Sequence, residues 1–297
     1  MPQTLTLIAA PGTLSAAELS AARGALSALG AACGTPDWLA EGEAVDLPFM
    51  DLAPEQAIAA ARAALGGTVI DLIAQPSEGR RKKLLLADMD STIVTTETLD
   101  EMAGFAGLKD RIAAVTARAM NGELDFRQAL LERVGLLKGL GESALHDTWA
   151  ETVLTEGAAT LIATMRANGA HTALVSGGFT FFTAKVAERC GFHEHHANTL
   201  LLEDGKLTGG VAEPILDKDA KLATLKRLAA QLGLPLAETA TVGDGANDLP
   251  MIQAAGLGIA FHAKPSVAAV ARHRIDHGDL RALLFAQGYH ATEFVGV

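Results

Sequence analysis

Cysteine is nearly missing from this 297-residue chain: there are two, Cys33 and Cys190, far apart and in no C-x-x-C pair. That excludes a disulfide framework and a cysteine-built zinc site, and it suits a reducing cytoplasm. Basic residues are also short, 24 Lys and Arg against 35 Asp and Glu, for a formal charge of −11. Nucleic-acid binding usually demands a basic face, so no such partner is expected. No uninterrupted apolar run approaches the ~18 residues of a membrane span. The start, Met1-Pro2-Gln3-Thr4-Leu5, lacks the positive region of a signal peptide. The expectation is a soluble chain with no membrane partner. There is no internal repeat and no long low-complexity tract. What is plentiful is apolar residue, 49% of the chain, enough for a sizeable core.

Two patterns divide the chain. Residues 1–75 alternate short strands (Thr4–Ala10, Glu43–Asp51, Thr68–Ile73, and a weak one near Ala31–Trp38) with two alanine-rich helices. The first helix, Ser15–Leu29, has Ser15 as N-cap, and the second, Pro54–Leu65, has proline in its first turn. The order β-α-β-β-α-β fits a small ferredoxin-like α+β domain. Residues 76–83, with the polar run Gln75–Lys83 around them, read as a linker. From residue 84 to 297, buried strands at Leu84–Ala87, Thr172–Val175, Ala240–Val242 and Leu257–Ala260 are spaced by helices. This is the mark of an α/β, Rossmann-like parallel sheet covered on both faces. Residues 99–152 carry helical signals alone (Leu99–Phe105, Leu108–Met120, Asp125–Leu137, Glu142–Thr148) and are a candidate cap inserted after the first strand.

The run Leu84-Leu85-Leu86-Ala87-Asp88-Met89-Asp90 sets two carboxylates two residues apart where a buried strand emerges. Strand alternation would point both to one side, and two like charges that close need a cation or a shared proton. An EF-hand-like loop starting at Asp88 fails, because its sixth position is Ile93 and its twelfth Leu99. Cleaving an alkyl phosphate needs a nucleophile, an acid for the departing oxygen, and cations for the phosphoryl oxygens. Asp88 fits the nucleophile. Asp90 fits the acid, and then the base that takes a proton from water. In Val242-Gly243-Asp244-Gly245-Ala246-Asn247-Asp248, Asp244 can complete an all-oxygen Mg²⁺ site with the Asp88 carboxylate and the Asp90 backbone carbonyl. Asn247 and Asp248 can orient metal-bound water from behind or touch substrate.

Val175-Ser176-Gly177-Gly178 reads as a strand end leading into a helix, with Ser176 and the following amides as an anion seat. Lys221 can reach the phosphate as a point charge, with Lys218 and Lys226 as alternatives. Asp88, Ser176 and Asp244 all fall at the carboxyl ends of strands, where open α/β sheets bind ligands. His193-Glu194-His195-His196 reads as a solvated loop before a strand pair (Thr199–Leu202, Leu207–Gly210), and His262 as structural.

These segments resemble the haloacid-dehalogenase superfamily, and within it the branch that hydrolyses phosphoserine. The matching stretches are D-M-D-S-T, T-T-E-T-L-D-E, A-M-N-G-E-L-D-F-R-Q-A-L-L-E-R-V, V-S-G-G-F-T, G-D-G-A-N-D-L-P-M and G-L-G-I-A-F-H-A-K-P, spanning about residues 84–280. The resemblance implies a Mg²⁺-dependent phosphatase that makes L-serine from L-phosphoserine, the last step of serine biosynthesis, through an aspartyl-phosphate on Asp88. Asp90 would be acid and base, Ser176, Gly177 and Lys221 would hold the phosphate, and Asp244 the metal. It further implies that Glu97 binds the substrate ammonium, Arg133 its carboxylate, and that Met120 and Phe126 cover the pocket. A Glu and a bidentate Arg are the natural complements of an amino acid. Alternatives are a phosphatase or phosphotransferase for another small phosphorylated metabolite, or a non-catalytic amino-acid sensor. Residues 1–75 are compatible with an amino-acid-binding domain of the ACT type, with regulation, packing or homodimer formation left open as its role.

Overall fold

The computed structural model describes residues 1–120, 123–217 and 219–296, apart from the side chain of Met120. In the N-terminal part, β1 (Gln3–Ala9), β2 (Ala32–Cys33), β3 (Asp37–Ala40), β4 (Ala44–Met50) and β5 (Ile70–Pro76) form an antiparallel sheet. Its order is β2-β4-β1-β5, with β3 also paired to β4. Helices α1 (Ala16–Ala28) and α2 (Pro54–Leu65) cover one face. The period-two alternation of β1 explains the division of labour: Leu5, Leu7 and Ala9 pack with Leu26, Ala57 and Ala61 of the helices, while Ile8 joins the main core on the other side. Ser15 caps α1 as expected, its hydroxyl accepting from the Ala17 N–H at 3.1 Å while Glu18 accepts from the Ser15 N–H at 2.9 Å.

The second sheet has the order β13-β12-β11-β6-β7-β8, and all its strands are parallel. The strands are β6 (Leu84–Ala87), β7 (His171–Phe179), β8 (Glu194–Asn198), β11 (Thr239–Gly243), β12 (Leu257–Phe261) and β13 (His273–Ile275). A separate hairpin is made by β9 (Leu200–Glu203) and β10 (Lys206–Val211). Between β6 and β7 come α3 (Thr98–Phe105), α4 (Lys109–Met120), α5 (Phe126–Leu136) and α6 (Ser143–Glu151), then α7 (Ala158–Ala167). The helices that follow are α8 (Thr180–Cys190), α9 (Ala220–Gln231), α10 (Leu249–Ala254), α11 (Pro265–Ala268) and α12 (Ala282–Ala286). Leu84 and Leu86 pack with Leu225 and Leu228 of α9, while Leu85 and Ala87 belong to the core that holds α7, α8 and α12. The chain enters this sheet at β6 and builds outward on both sides, so β6, β7 and β11 flank the point where strand order reverses. Ligands of open α/β sheets bind there.

One expectation changes. The segment 193–196 is no solvated loop: Glu194–Asn198 forms the edge strand β8. Its polar side chains are satisfied locally, with His171 Nε2 at 2.6 Å and His196 Nε2 at 2.7 Å from the two oxygens of Glu194. Residues 76–83, read as a linker, are anchored at several points. Arg80 reaches Asp46 Oδ1 at 3.0 Å and the carbonyls of Phe285 and Ala286 at 3.2 and 3.1 Å. Lys82 Nζ donates to the carbonyls of Gly79 and Ala237 at 2.7 and 2.9 Å. No described helix is long and apolar enough to cross a membrane.

Candidate active site

Asp88 follows β6 directly and continues its alternation toward the α9 side, where Lys221 stands in the first turn of that helix. Asp88 Oδ1 accepts from the Met89 N–H at 2.7 Å and lies 2.7 Å from Lys221 Nζ. The same ammonium is 2.5 Å from Asp248 Oδ1. All three side chains are sealed from solvent. Burial pushes the Asp88 carboxyl well above its ordinary range, the Asp248 charge adds to this, and Lys221 opposes it. Burial alone would depress the Lys221 ammonium, but the two carboxylates outweigh it and hold its pKa above the usual lysine value.

Strand alternation does not carry through to Asp90. The backbone leaves the sheet at Asp88, and Ser91 turns it with φ of 53°, in the left-handed region that a serine rarely adopts. Asp90 is placed instead by hydrogen bonds. Its Oδ1 accepts from the Thr98 N–H at 2.9 Å and the Thr98 hydroxyl at 2.8 Å, and its Oδ2 from the Ser176 hydroxyl at 3.0 Å. Burial and then the charge of Glu97 push its pKa up to about 6, although the Thr98 and Ser176 hydrogen bonds work against that. A carboxyl poised there can give and recover a proton near neutral pH.

Ser176 lies inside β7, which continues to Phe179, so it is not at a helix N-terminus; α8 begins at Thr180. The Gly178 N–H donates to the Ser176 hydroxyl at 2.8 Å. A Cβ on Gly178 would meet Asp90 Oδ2 at 2.9 Å, so glycine is what lets β7 approach the carboxyl. Buried Asn198 of β8 donates to the Gly177 carbonyl at 2.9 Å and accepts from the Leu216 N–H at 2.8 Å, tying β7 to the segment that leads into α9.

Asp244 ends β11. Carboxylate oxygens of Asp88, Asp244 and Asp248 lie within 4.8 Å of one another. Three buried oxygen donors with net negative charge suit a hard divalent cation. Asp248 was expected behind the metal, and both its oxygens are already engaged, Oδ1 by Lys221 and Oδ2 by the Gly245 N–H at 3.0 Å. A Cβ on Gly243 would lie 2.4 Å from Asp248 Cγ, which explains that glycine. Burial raises Asp244 as well, with Lys264 opposing.

The helices α3 to α6 close over these strand ends. Phe126 opens α5 and comes so near Gly177 that a Cβ there would touch its ring at 3.3 Å. Phe126, Ser176, Gly177, Lys221 and Asn247 enclose a cavity of about 10 Å³, too small for a phosphate. Phe126 thus stands over Ser176, Gly177 and Lys221 in this arrangement of the helices. Glu97 precedes α3 and accepts from the Ser91 hydroxyl at 3.0 Å. Arg133 of α5 is half-buried, and its charge faces Asp100, Glu97 and Asp90. The Met120 side chain and Lys218 lie outside the described residues, and Lys226 is exposed on α9.

The model of the haloacid dehalogenase-like hydrolase family matches residues 85–253, more than half of the chain. The chain belongs to that family. A phosphoserine phosphatase of Streptomyces coelicolor is 43% identical over 240 residues, 81% of this chain and 58% of the relative, so the chain spans little more than half of that protein's length. A crystal structure of a hydrolase of the same family from Salmonella enterica serovar Typhi, 30% identical, superposes with a TM-score of 0.84 and covers 96% of this chain and 98% of its own. A substrate-bound phosphoserine phosphatase, 42% identical, superposes with a TM-score of 0.64 over 68% of this chain and 97% of its own.

In this hydrolase, sequence reasoning found Asp88, Asp90, Ser176, Lys221 and Asp244, and the structure brings them together. It missed Thr98, which sits one residue after Glu97 and fixes Asp90 with two donors. It also missed Asn198, disguised by its place after the histidine run, and Lys264, whose ammonium lies 3.5 Å from Asp244 Oδ2. The available signal for Lys264 was the H-A-K-P stretch that follows β12 and leads into α11.

Proposed function

We propose that this hydrolase converts L-phosphoserine to L-serine and phosphate through an aspartyl-phosphate on Asp88, with Mg²⁺ as cofactor, as the last step of serine biosynthesis in the cytoplasm. One observation carries the reading: the buried Asp88–Lys221–Asp248 group adjoins Asp90, and Asp90 in turn faces Glu97 and Arg133, a carboxylate and a guanidinium suited to an amino acid. The Streptomyces relative and the substrate-bound structure both carry the name of this activity.

The Asp88 carboxylate, oriented by the Met89 N–H and Lys221, attacks phosphorus, and the bond from phosphorus to the serine oxygen breaks. Asp90 enters protonated and gives its proton to that departing oxygen. As a carboxylate, it then takes a proton from the water that attacks the acyl phosphate, and Asp88 and phosphate are released. Lys221, the Ser176 hydroxyl and the Gly177 backbone hold the phosphoryl oxygens, with Asn247 beside them. Mg²⁺ held by Asp88, Asp244 and the Asp90 carbonyl, with Asp248 behind, would neutralise charge on the phosphoryl group. Glu97 takes the substrate ammonium and Arg133 its carboxylate, while Phe126, with Met120, covers the pocket and excludes water.

We assign residues 1–75 to an ACT-like unit, 76–83 to a packed connection, and 84–297 to the phosphatase core with its cap at about 99–152. Phosphate release from a panel of small phosphoesters, with Mg²⁺ or with a chelator, tests the function. Metal-dependent release with phosphoserine preferred over phosphothreonine, a sugar phosphate and an aryl phosphate is expected. Preference for the sugar phosphate would point to a related phosphatase of another metabolite, and no release from any ester would reject catalysis.

A further inference from the structure

The loop after β12 is built to put one lysine at the mouth of the site. His262 takes φ of 42°, its N–H donates to the Ile275 carbonyl at 2.8 Å, and its Nε2 lies 2.8 Å from the Gly278 carbonyl. Its ring stacks on Phe261 with centroids 4.3 Å apart. Two residues on, the Lys264 N–H donates to the Asp244 carbonyl at 3.1 Å, and Pro265 starts α11. The side chain is thereby directed between two carboxylates, with Nζ 3.5 Å from Asp244 Oδ2 and 3.9 Å from Glu97 Oε1. Both distances exceed a good hydrogen bond, so the ammonium is shared and loosely held. Lys221, by contrast, grips its partners at 2.7 and 2.5 Å.

We infer that Lys264 is a positioning residue that acts as an exchangeable counter-cation. It screens Asp244 from Glu97, and it yields Asp244 to the divalent ion and Glu97 to the substrate ammonium, each of which competes with it for the same oxygens. The inference rests on the functional reading above, since it needs Asp244 as a metal ligand and Glu97 as an ammonium acceptor. Lys264 is about half exposed, so its attraction is modest and salt-screened, which keeps exchange easy.

Direct metal binding to the full-length protein, without substrate, is the test. Mn²⁺ serves as the probe, with the free ion followed by electron paramagnetic resonance. Lys264→Ala should bind Mn²⁺ about three- to fivefold more tightly than the parent protein, and Lys264→Arg should stay within about twofold. Raising the salt to about 1 M should shrink the difference between the alanine variant and the parent. Equal or weaker binding by Lys264→Ala overturns the inference while leaving the metal site in place, and tighter binding by both variants overturns it too, because charge would not be the cause. Failure of the parent protein to bind Mn²⁺ at all would instead reject the metal site itself. Circular dichroism confirms that each variant is folded before its affinity is compared.

Discussion

Lys221 Nζ lies 2.7 Å from Asp88 Oδ1 in a space nearly closed to water, and it is the only lysine among the described residues bridging Asp88 to a second carboxylate, Asp248. Two acids that close cannot both stay ionised in a low-dielectric interior without such a partner. The nucleophile's charge is therefore a property of α9 as much as of β6.

Lys221→Met should remove that partner and leave two buried carboxylates uncompensated. A loss of about 3–5 kcal/mol in unfolding free energy at neutral pH is expected. The loss should shrink as pH falls and the acids protonate. Phosphate release should drop by about 10²-fold or more. Denaturant unfolding at pH 7.5 and pH 5, beside a turnover assay, checks both; an unchanged midpoint at pH 7.5 would mean the acids are already neutral.

Asp90 makes the opposite prediction for stability. Its folded pKa of about 6 lies above the ordinary carboxylate value. A group raised in the folded state contributes its stability in full below the unfolded pKa and loses it as pH rises through about 6. Above that pH the charged carboxylate works against the fold by at most about 3 kcal/mol, less for a partly exposed group. Asp90→Asn should thus raise the unfolding free energy at pH 7.5 by about 1–2 kcal/mol and give no gain at pH 4, while slowing turnover by about 10²–10⁴-fold. Thermal unfolding at the two pH values reads the first effect, and a gain at pH 4 equal to that at 7.5 would contradict it.

Much of this was legible before any coordinates. Leu84–Ala87 read as a buried strand because four apolar residues end in a polar turn, and Asp88 and Asp244 follow from where such strands stop. Period-two reasoning then failed at Asp90, because it assumes the strand persists. The strand stops at Ala87, the backbone leaves the sheet at Asp88 and turns through a left-handed Ser91, and nothing in these residues announces that. Thr98 was invisible for a related reason: its partner, Asp90, lies eight residues away across a turn rather than on a shared helix face. Glu194–Asn198 misled in another way. Histidine and glutamate are poor strand formers on average, but an edge strand exposes one side, and His171 and His196 satisfy Glu194 there. Arg80 looked like linker charge because its partners, Asp46 and the α12 carbonyls, are remote in sequence.

Arg133 tests substrate recognition separately from chemistry. It faces Glu97 and Asp90 from α5 without touching the Asp88–Lys221 pair. Arg133→Ala should raise KM for phosphoserine about 10–100-fold, the worth of a charged hydrogen bond. KM for an aryl phosphate, which has no amino-acid carboxylate, should change little. Equal effects on the two substrates would reject amino-acid recognition by Arg133 and favour a role in placing the cap.

The N-terminal sheet is held to the core by Asp71 of β5, whose two oxygens accept from the N–H groups of Asp276 at 2.8 Å, His277 at 3.1 Å and Gly278 at 2.8 Å. Asp71 is almost fully buried, so removing it leaves three backbone donors without their acceptor. Asp71→Ala should cost about 2–4 kcal/mol, whereas Asp71→Asn keeps one acceptor and should cost less. Asp71 contributes no group to the site and reaches it only through Gly278 and the His262 loop, so kcat and KM should stay within about twofold for Asp71→Asn. Deleting residues 1–78 goes further, because Ile8, Leu39, Ala44 and Ile73 belong to the same apolar cluster as Leu283, Phe285 and Tyr289. The shortened chain keeps Asp88, Lys221 and Asp244, so turnover per folded molecule should survive, but its melting temperature should fall below that of Asp71→Ala. A truncated protein that melts with the full chain would show that the interlock adds no stability, and that the two sheets fold independently.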